Sequence, residues 1–346
     1  MTRTLLTGGS GFIGAHILNA LLKRGHSVVT TVRSQEKAEQ IKKSHPGVSK
    51  ENLDFVIVAD ISAPDAFDQA VVSDLPFEAV IHTASPFHFR VQNVKKDLLD
   101  PAINGTVGLL KAVKNNAPSV KRVVVTSSGA AILDFSKPQT YTFTEADWNH
   151  MTWEEATSNP LSAYRASKVF SEKAAWDFVE KEKPHYSLTT LNPPMVYGPI
   201  VHHIKDLDGL NTSNERIRDI AFGKAKDSCP FTGVFLWVDV RDLASAHVLA
   251  IEKPEAGGQR FCVSPGQYSN KDIVECIREA FPDLRDGLPT GDALKPGDFP
   301  PTGWYGYDNT KSKEVLGISY RPLKECIVDT VSSLKPFVKQ RRRQIR

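Results

Sequence analysis

The sequence predicts an α/β protein: a doubly wound parallel sheet followed by a smaller C-terminal lobe. Three observations predict it. Short β-branched or apolar runs alternate with amphipathic helical stretches as far as residue 192, the order that gives parallel strands with helices on both faces. A glycine-rich turn, Thr7-Gly-Gly-Ser-Gly-Phe-Ile-Gly14, joins the first run to the first helix. Beyond residue 200 the helical stretches shorten and the loops gain Pro and Gly, which marks a second kind of organisation.

Leu5-Leu6 belongs to the first strand, and Ile13, Ile17, Leu18, Leu21 and Leu22 recur at helical spacing over residues 12–24. Gly8 takes a turn that side chains would obstruct. Gly11 leaves the backbone bare for a pyrophosphate, and Gly14 lets helix and strand pack closely. The free N–H groups of the helix start attract an anion, so Gly8, Ser10, Gly11, Phe12, Ile13 and Gly14 form a candidate dinucleotide contact set on a Rossmann sheet. Residues 27–32 (SVVTTV) read as the second strand. Where NAD-preferring folds place an acid for the ribose hydroxyls, this chain has Arg33, with Lys37 one turn further on. Two cations suit a 2′-phosphate, which favours NADPH over NADH.

Residues 53–58 form the third strand, and Asp60-Ile61 follows where an adenine edge is met. Asp60 is equally suited to cap a next helix with Asp65 in its first turn. Residues 79–83 are the fourth strand, ending in the small-residue turn Thr83-Ala84-Ser85-Pro86 over which a cofactor can lie. Phe87, His88 and Phe89 come next, either lining a substrate pocket or packing a loop. Residues 97–115 read as a long helix with Asn104 on its apolar side, and 122–126 (RVVVT) as a fifth strand running into Ser127-Ser128-Gly129. Residues 134–160 lose periodicity and carry Trp148 and Trp153, a surface excursion near the site. A helix resumes over 164–182, and a sixth strand over 187–191 leads into Asn192-Pro193-Pro194-Met195-Val196-Tyr197-Gly198-Pro199. Further on, Ser269-x-x-Asp272 is a capping box, 286–303 is turn-rich, and Asp308-Asn309 caps a helix through Leu316. The expected division is 1–192, a nucleotide-binding domain holding the reactive residues, and 193–346, mainly a substrate-binding lobe interleaved with it.

With 346 residues, 40% hydrophobic and 24% charged, the composition is that of an ordinary globular protein. The net charge of +3 gives no reason to invoke nucleic acid. The basic run from Lys339 to Arg346 reads as a frayed, solvated tail. Cys229, Cys262, Cys276 and Cys326 are widely separated, as expected of free thiols in a reducing cytoplasm. The first strand begins at once, leaving no room for a signal peptide, and no stretch approaches the ~20 apolar residues that span a bilayer. Asn104-Gly-Thr and Asn211-Thr-Ser are then chance matches to the glycosylation triplet.

Tyr164 and Lys168 lie four apart on one helix face. A neighbouring cation favours phenolate and is expected to lower the tyrosine's pKa, so that Tyr164 can exchange a proton with a forming alkoxide. Ser128, at a strand end, can hold the same oxygen while charge develops. His202-His203 lacks partners at metal-ligand spacing and reads as solvated loop, so no metal is expected. His82 and His247 read as packed or exposed rather than reactive, and there is no Gly-x-Ser-x-Gly elbow of a hydrolase.

The combination TGGSGFIG, Ser127-Ser128, Tyr164-x-x-x-Lys168 and Asp308-Asn309-x-Lys-Ser-Lys-x-x-Leu-Gly resembles the extended short-chain dehydrogenase/reductases. RSQEKA at 33–38, HTASPF at 82–87, TSSGAA at 126–131, AYRASK at 163–168 and LNTS at 210–213 look like the NADPH-dependent methylglyoxal and ketone reductases related to dihydroflavonol reductase. That resemblance implies that Ser128 polarises the carbonyl, Tyr164 is the general acid, and Lys168 binds the nicotinamide ribose and tunes the tyrosine. It implies that Asn104 supports a water relay behind the lysine. Arg33 and Lys37 would hold the 2′-phosphate, Asp60 and Ile61 would flank adenine, and Thr83, Ala84, Ser85, Pro193, Val196 and Ser213 would touch the cofactor. Phe87 and Tyr197, with Ser128 and Tyr164, would meet a small carbonyl substrate. Family members occur as monomers and as dimers, which admits a homodimer. The rival readings are an NAD-dependent nucleotide-sugar epimerase or dehydratase, which shares the serine, tyrosine and lysine, and a dinucleotide-sensing protein without turnover.

Overall fold

A computed structural model describes residues 1–85 and 93–344; Phe87, His88 and Phe89 lie outside the described residues. The first half alternates as the glycine turn requires: β1 (Arg3–Thr7), α1 (Phe12–Lys23), β2 (Ser27–Val32), α2 (Gln35–Ser44), β3 (Leu53–Ile57), β4 (Ala79–His82), a π-helical turn (Lys95–Leu99) running into α3 (Asp100–Asn116), then β5 (Arg122–Thr126). An excursion carrying β6 (Thr142–Phe143) and α4 (Trp153–Ala156) follows. Next come α5 (Pro160–Glu182), β7 (Ser187–Asn192), β8 (Met195–Tyr197), α6 (Thr212–Ala221), β9 (Leu236–Asp239), α7 (Val240–Glu252), β10 (Gln259–Cys262), β11 (Gly266–Gln267), α8 (Asn270–Ala280), β12 (Gly306–Tyr307), α9 (Thr310–Glu314) and α10 (Leu323–Gln344).

Seven strands form one sheet in the order β10-β7-β5-β4-β1-β2-β3, every pair parallel. The order reverses between β1 and β4, and ligands of such sheets bind outside the carboxyl ends at that reversal. Leu18 and Leu21 of α1, Ala38 and Ile41 of α2 and Leu243 and Ala244 of α7 cover one face. Leu109, Leu110 and Val113 of α3 and Ala175 of α5 cover the other. The sheet is thus buried on both faces, which is why β4 and β5 each carry three consecutive apolar residues. A second core gathers Ile217 and Ile220 of α6, Ile273, Val274 and Ile277 of α8, and Ile327 and Val331 of α10 around Trp237 and Tyr268. A three-stranded sheet β11-β9-β8 links that core to the main body.

Several expectations need correction. No helix follows β3: residues after Asp60 form turns, Asp65 takes a positive φ of 57°, and Asp60 caps only a turn by accepting from the Ser62 N–H at 2.8 Å. Helix α5 starts at Pro160, not at 164, because Asn159 caps it by accepting from the Ser162 N–H and Pro160 occupies the first turn. As far as Gln344 the backbone of the basic C-terminal run is helical rather than frayed, as part of α10; residues 345 and 346 lie outside the described residues. The capping box at Ser269 and Asp272 forms as expected, and Asp308 accepts from the Thr310 N–H at 2.8 Å to open α9.

Candidate active site

The nucleotide end is a backbone structure. Gly8 has φ +79°, and its N–H donates to Thr31 Oγ1 at 3.3 Å while its carbonyl accepts from the Gly11 N–H at 3.0 Å. A Cβ added at Gly14 would overlap the Gly8 carbonyl, and one added at Gly9 would overlap Thr30 Oγ1. Gly11 is the N-cap of α1, is exposed, gives no side-chain cap, and no acid stands in the first turn. The helix start therefore has open N–H donors and a positive end. Thr7 ties this loop to the next strand: its Oγ1 accepts from the N–H groups of Thr83 and Ala84, each at 3.1 Å, and Thr83 Oγ1 donates to the Thr7 carbonyl at 2.6 Å.

Beside the loop, Arg33 is exposed at the end of β2 and Asp60 exposed near the end of β3. Hydrogen bonds from Ser62, with the Arg33 cation behind them, hold the Asp60 carboxyl below its ordinary value. Ile61 is half-buried against Gly105. Lys37 is half-buried and lines a cavity of about 20 Å³ with Gly9, Ser10, His202 and His203, room for one water. His202 is not the solvated loop residue expected. It packs 5.8 Å from the Phe12 ring, and burial, with the cations nearby, pushes it down to about 4. His203 is exposed.

An NADP-type dinucleotide fits what these residues offer. The glycines make a cradle that side chains would fill, the helix start donates N–H groups, and Arg33 stands where an acid would repel a 2′-phosphate.

At the chemical end, β5 delivers Ser127 and Ser128 and α5 delivers Tyr164 and Lys168. Ser128 stands near enough to the Tyr164 phenol to favour its ionised form. Ser128 Oγ also accepts from the Ala130 N–H at 3.1 Å. Lys168 Nζ donates to Ser85 Oγ at 2.9 Å and lies 5.9 Å from the centre of the Tyr164 ring. Burial lowers the Lys168 ammonium to about 8. The expected lowering of Tyr164 is reversed: burial raises it, and Ser128 offsets part of the rise. Desolvation disfavours phenolate more than these neighbours favour it. His82, buried at the end of β4, pairs with Thr7 Oγ1 at 2.7 Å and is lowered to about 3 by burial and the Lys168 charge. Buried His247 makes hydrogen bonds to Thr126 Oγ1 and the Leu243 carbonyl.

The proline-rich turn after β7 brings further expected contacts together. The Pro193 carbonyl accepts from the Gly129 N–H at 2.7 Å, and Ser213 Oγ donates to the Val196 carbonyl at 2.5 Å. Two expectations fail. Tyr197 is fully buried, its hydroxyl sharing a 2.7 Å hydrogen bond with Tyr268, so it packs the second core instead of meeting substrate. Asn104 is exposed rather than on the apolar side, because α3 buries Ala102, Gly105, Thr106 and Leu109 instead. The sequence reading also missed Glu172, which lies two turns beyond Tyr164 with a wholly buried side chain; its place at the same four-residue interval as Lys168 was the available signal.

Residues 4–264 match the NAD dependent epimerase/dehydratase family. The chain is 48% identical over 334 residues to the ketoreductase azaE of Aspergillus niger, covering 96% of this chain and 97% of that protein. It is 40% identical over 342 residues to the NADPH-dependent methylglyoxal reductase GRE2 of Saccharomyces cerevisiae, covering 96% and 98%. The crystal structure of yeast methylglyoxal/isovaleraldehyde reductase Gre2 complexed with NADPH superposes with a TM-score of 0.89 at 39% identity, over 98% of this chain and 99% of that one. Crevice, glycine turn and full-length likeness agree: the chain belongs to the NAD dependent epimerase/dehydratase family, as an extended short-chain dehydrogenase/reductase.

Proposed function

We propose that this oxidoreductase reduces small aldehydes and ketones to alcohols with NADPH, using Tyr164 as general acid. The observation that carries the reading is the grouping of Ser128, the Tyr164 phenol and the Lys168 ammonium, 5.9 Å from the Tyr164 ring centre, at the sheet's carboxyl edge. Bound NADPH supplies the hydride. Ser128 donates a hydrogen bond to the carbonyl oxygen as it gains charge, and Tyr164 gives that oxygen its proton. Because burial raises Tyr164, the phenol keeps its proton at neutral pH and is ready as an acid. The reverse oxidation needs phenolate and therefore favours higher pH.

Lys168 holds the nicotinamide ribose, Arg33 and Lys37 the 2′-phosphate, and residues 8–14 the pyrophosphate. Asp60 and Ile61 flank adenine, and Thr83, Ala84, Ser85, Pro193, Val196 and Ser213 complete the cofactor wall. The lobe from residue 193 onward closes over the substrate. Full-length similarity to a ketoreductase and to a methylglyoxal reductase supports ketones and α-dicarbonyls as the substrate class. Arg33 in place of an acid disfavours the NAD-dependent epimerase reading. A cytoplasmic location fits four unpaired cysteines, of which three are buried, and no described helix is long and apolar enough to cross a membrane. The test follows absorbance of NADPH and of NADH against a panel of aldehydes, diketones and aryl ketones. Turnover with NADPH well above that with NADH is expected; no consumption of either across the panel would return the protein to a sensing role.

A further inference from the structure

Tyr164, Lys168 and Glu172 stand at successive four-residue intervals on α5, one face of one helix. The first two stand beside Ser128 and Ser85, at the carboxyl ends of β5 and β4; the third has its side chain fully buried. Glu172 Oε2 accepts from Ser127 Oγ and, at 2.6 Å, from Asn192 Nδ2. Its Oε1 accepts from Thr190 Oγ1 at 3.0 Å, Arg260 Nε at 2.7 Å and Trp176 Nε1 at 3.4 Å. One carboxylate thus fastens the ends of β5, β7 and β10 to the helix that carries the phenol.

The network reaches the reacting hydroxyls in two ways. Ser127 is covalently next to Ser128, and Asn192 Nδ2 also donates to the Ser128 carbonyl at 3.1 Å. Asn192 is itself held from behind, its carbonyl accepting from Tyr307 Oη at 2.8 Å. Arg260 balances the buried charge, stacks 3.7 Å from the centre of the Trp148 ring, and donates to the carbonyls of Glu145 and Asp147 at 2.6 and 2.8 Å. A buried ion pair is a poor device for stability alone, since apolar residues of the same volume serve as well or better. It is a good device for geometry, because every lone pair of the carboxylate has an assigned donor.

We propose that Glu172 is the positioning residue of this active site, clamping the Ser127-Ser128 strand end and Asn192 to helix α5 so that the Ser128 and Tyr164 hydroxyls meet on one carbonyl oxygen. The proposal rests on the assignment of Ser128 and Tyr164 above. Glu172→Gln keeps the volume but turns a donor toward Asn192 Nδ2 or Arg260 Nε, which can only donate. A misplacement of this order costs about 10²-fold in rate when the displaced group takes part in the reaction.

The experiment measures kcat, carbonyl KM and NADPH-binding stoichiometry for Glu172→Gln and Ser127→Ala, with rates expressed per NADPH-binding site. Expected is a fall in kcat of roughly 10²-fold for Glu172→Gln and of about 10-fold for Ser127→Ala, with NADPH Kd within about twofold of the parent. Expressing rates this way discounts unfolded molecules, and Ser127→Ala removes a single donor if Glu172→Gln fails to fold. Unchanged kcat per binding site in the foldable variants overturns the proposal, as does a loss confined to binding stoichiometry. A Tyr164→Phe control separates the two ideas: full turnover there sinks the catalytic assignment itself, whereas an inactive Tyr164→Phe beside a fully active Ser127→Ala and Glu172→Gln sinks the clamp alone.

Discussion

The proposed nucleotide end of the site is made by residues 7–14 and the strand ends beside them, mostly through backbone atoms. The chemical end is made by side chains from β5, α5 and the turn after β7, brought together across more than sixty residues of chain and backed by a buried carboxylate. The first end can be read from local sequence because its parts are contiguous and its requirement is steric. The second depends on tertiary placement, advertised in the sequence by the four-residue interval from Tyr164 to Lys168 and by Ser128 at a strand end. The two ends also differ in electrostatics. Arg33 lies open to solvent at the nucleotide end, while burial drives Lys168 down and Tyr164 up at the chemical end. Affinity should therefore belong to one end and turnover to the other.

The sharpest way to break that division is Tyr164→Phe. Removing the proton donor is expected to lower kcat by about 10³-fold or more while leaving NADPH Kd within about twofold; stopped-flow reduction together with fluorescence titration measures both, and a large loss of binding would merge the two ends. Next in size, Arg33→Ala should weaken NADPH by about 10- to 100-fold, the worth of a lost charge-assisted bond, with kcat and NADH affinity nearly unchanged. Equal weakening of both cofactors would refute the 2′-phosphate assignment. The smallest effect is in the pH profile. Since burial lowers Lys168 to about 8, its ammonium is present below that pH and is lost as pH rises through it. The value of kcat/KM for NADPH, which reports the free enzyme, should fall about fivefold between pH 8 and 9 and about tenfold per unit above that; a flat profile to pH 10 contradicts the lysine's role.

Much of the sheet was legible because each buried strand is a short β-branched run between turns: Ser27–Val32 and Arg122–Thr126 have the expected bounds. The helix expected after β3 was not there, since residues 63–72 are short of the periodic apolar stripe that would dock one and fold as turns around Phe67 and Val71. Helix α5 begins a turn before the Tyr164 motif because Asn159-Pro160 supplies its cap and first turn. Asn104 and Tyr197 failed for a common reason. Which way a side chain faces on a correctly identified element depends on what packs against it, and for Tyr197 that partner is Tyr268, seventy-one residues later. The long C-terminal helix was hidden by its basic end, which looks like tail but continues a helix whose Val331 and Leu334 are buried.

Strand β10 is contributed from beyond residue 258, yet it closes the edge of the sheet next to β7, with Phe261 paired to Leu191. During synthesis β7 therefore emerges from the ribosome roughly seventy residues before the strand that covers its border. Until then β7 presents an open ladder of amides on which a neighbouring nascent chain could build. A gene fragment ended at residue 192 would keep that open border permanently, and so would be expected to accumulate in inclusion bodies rather than as a free-standing cofactor-binding module.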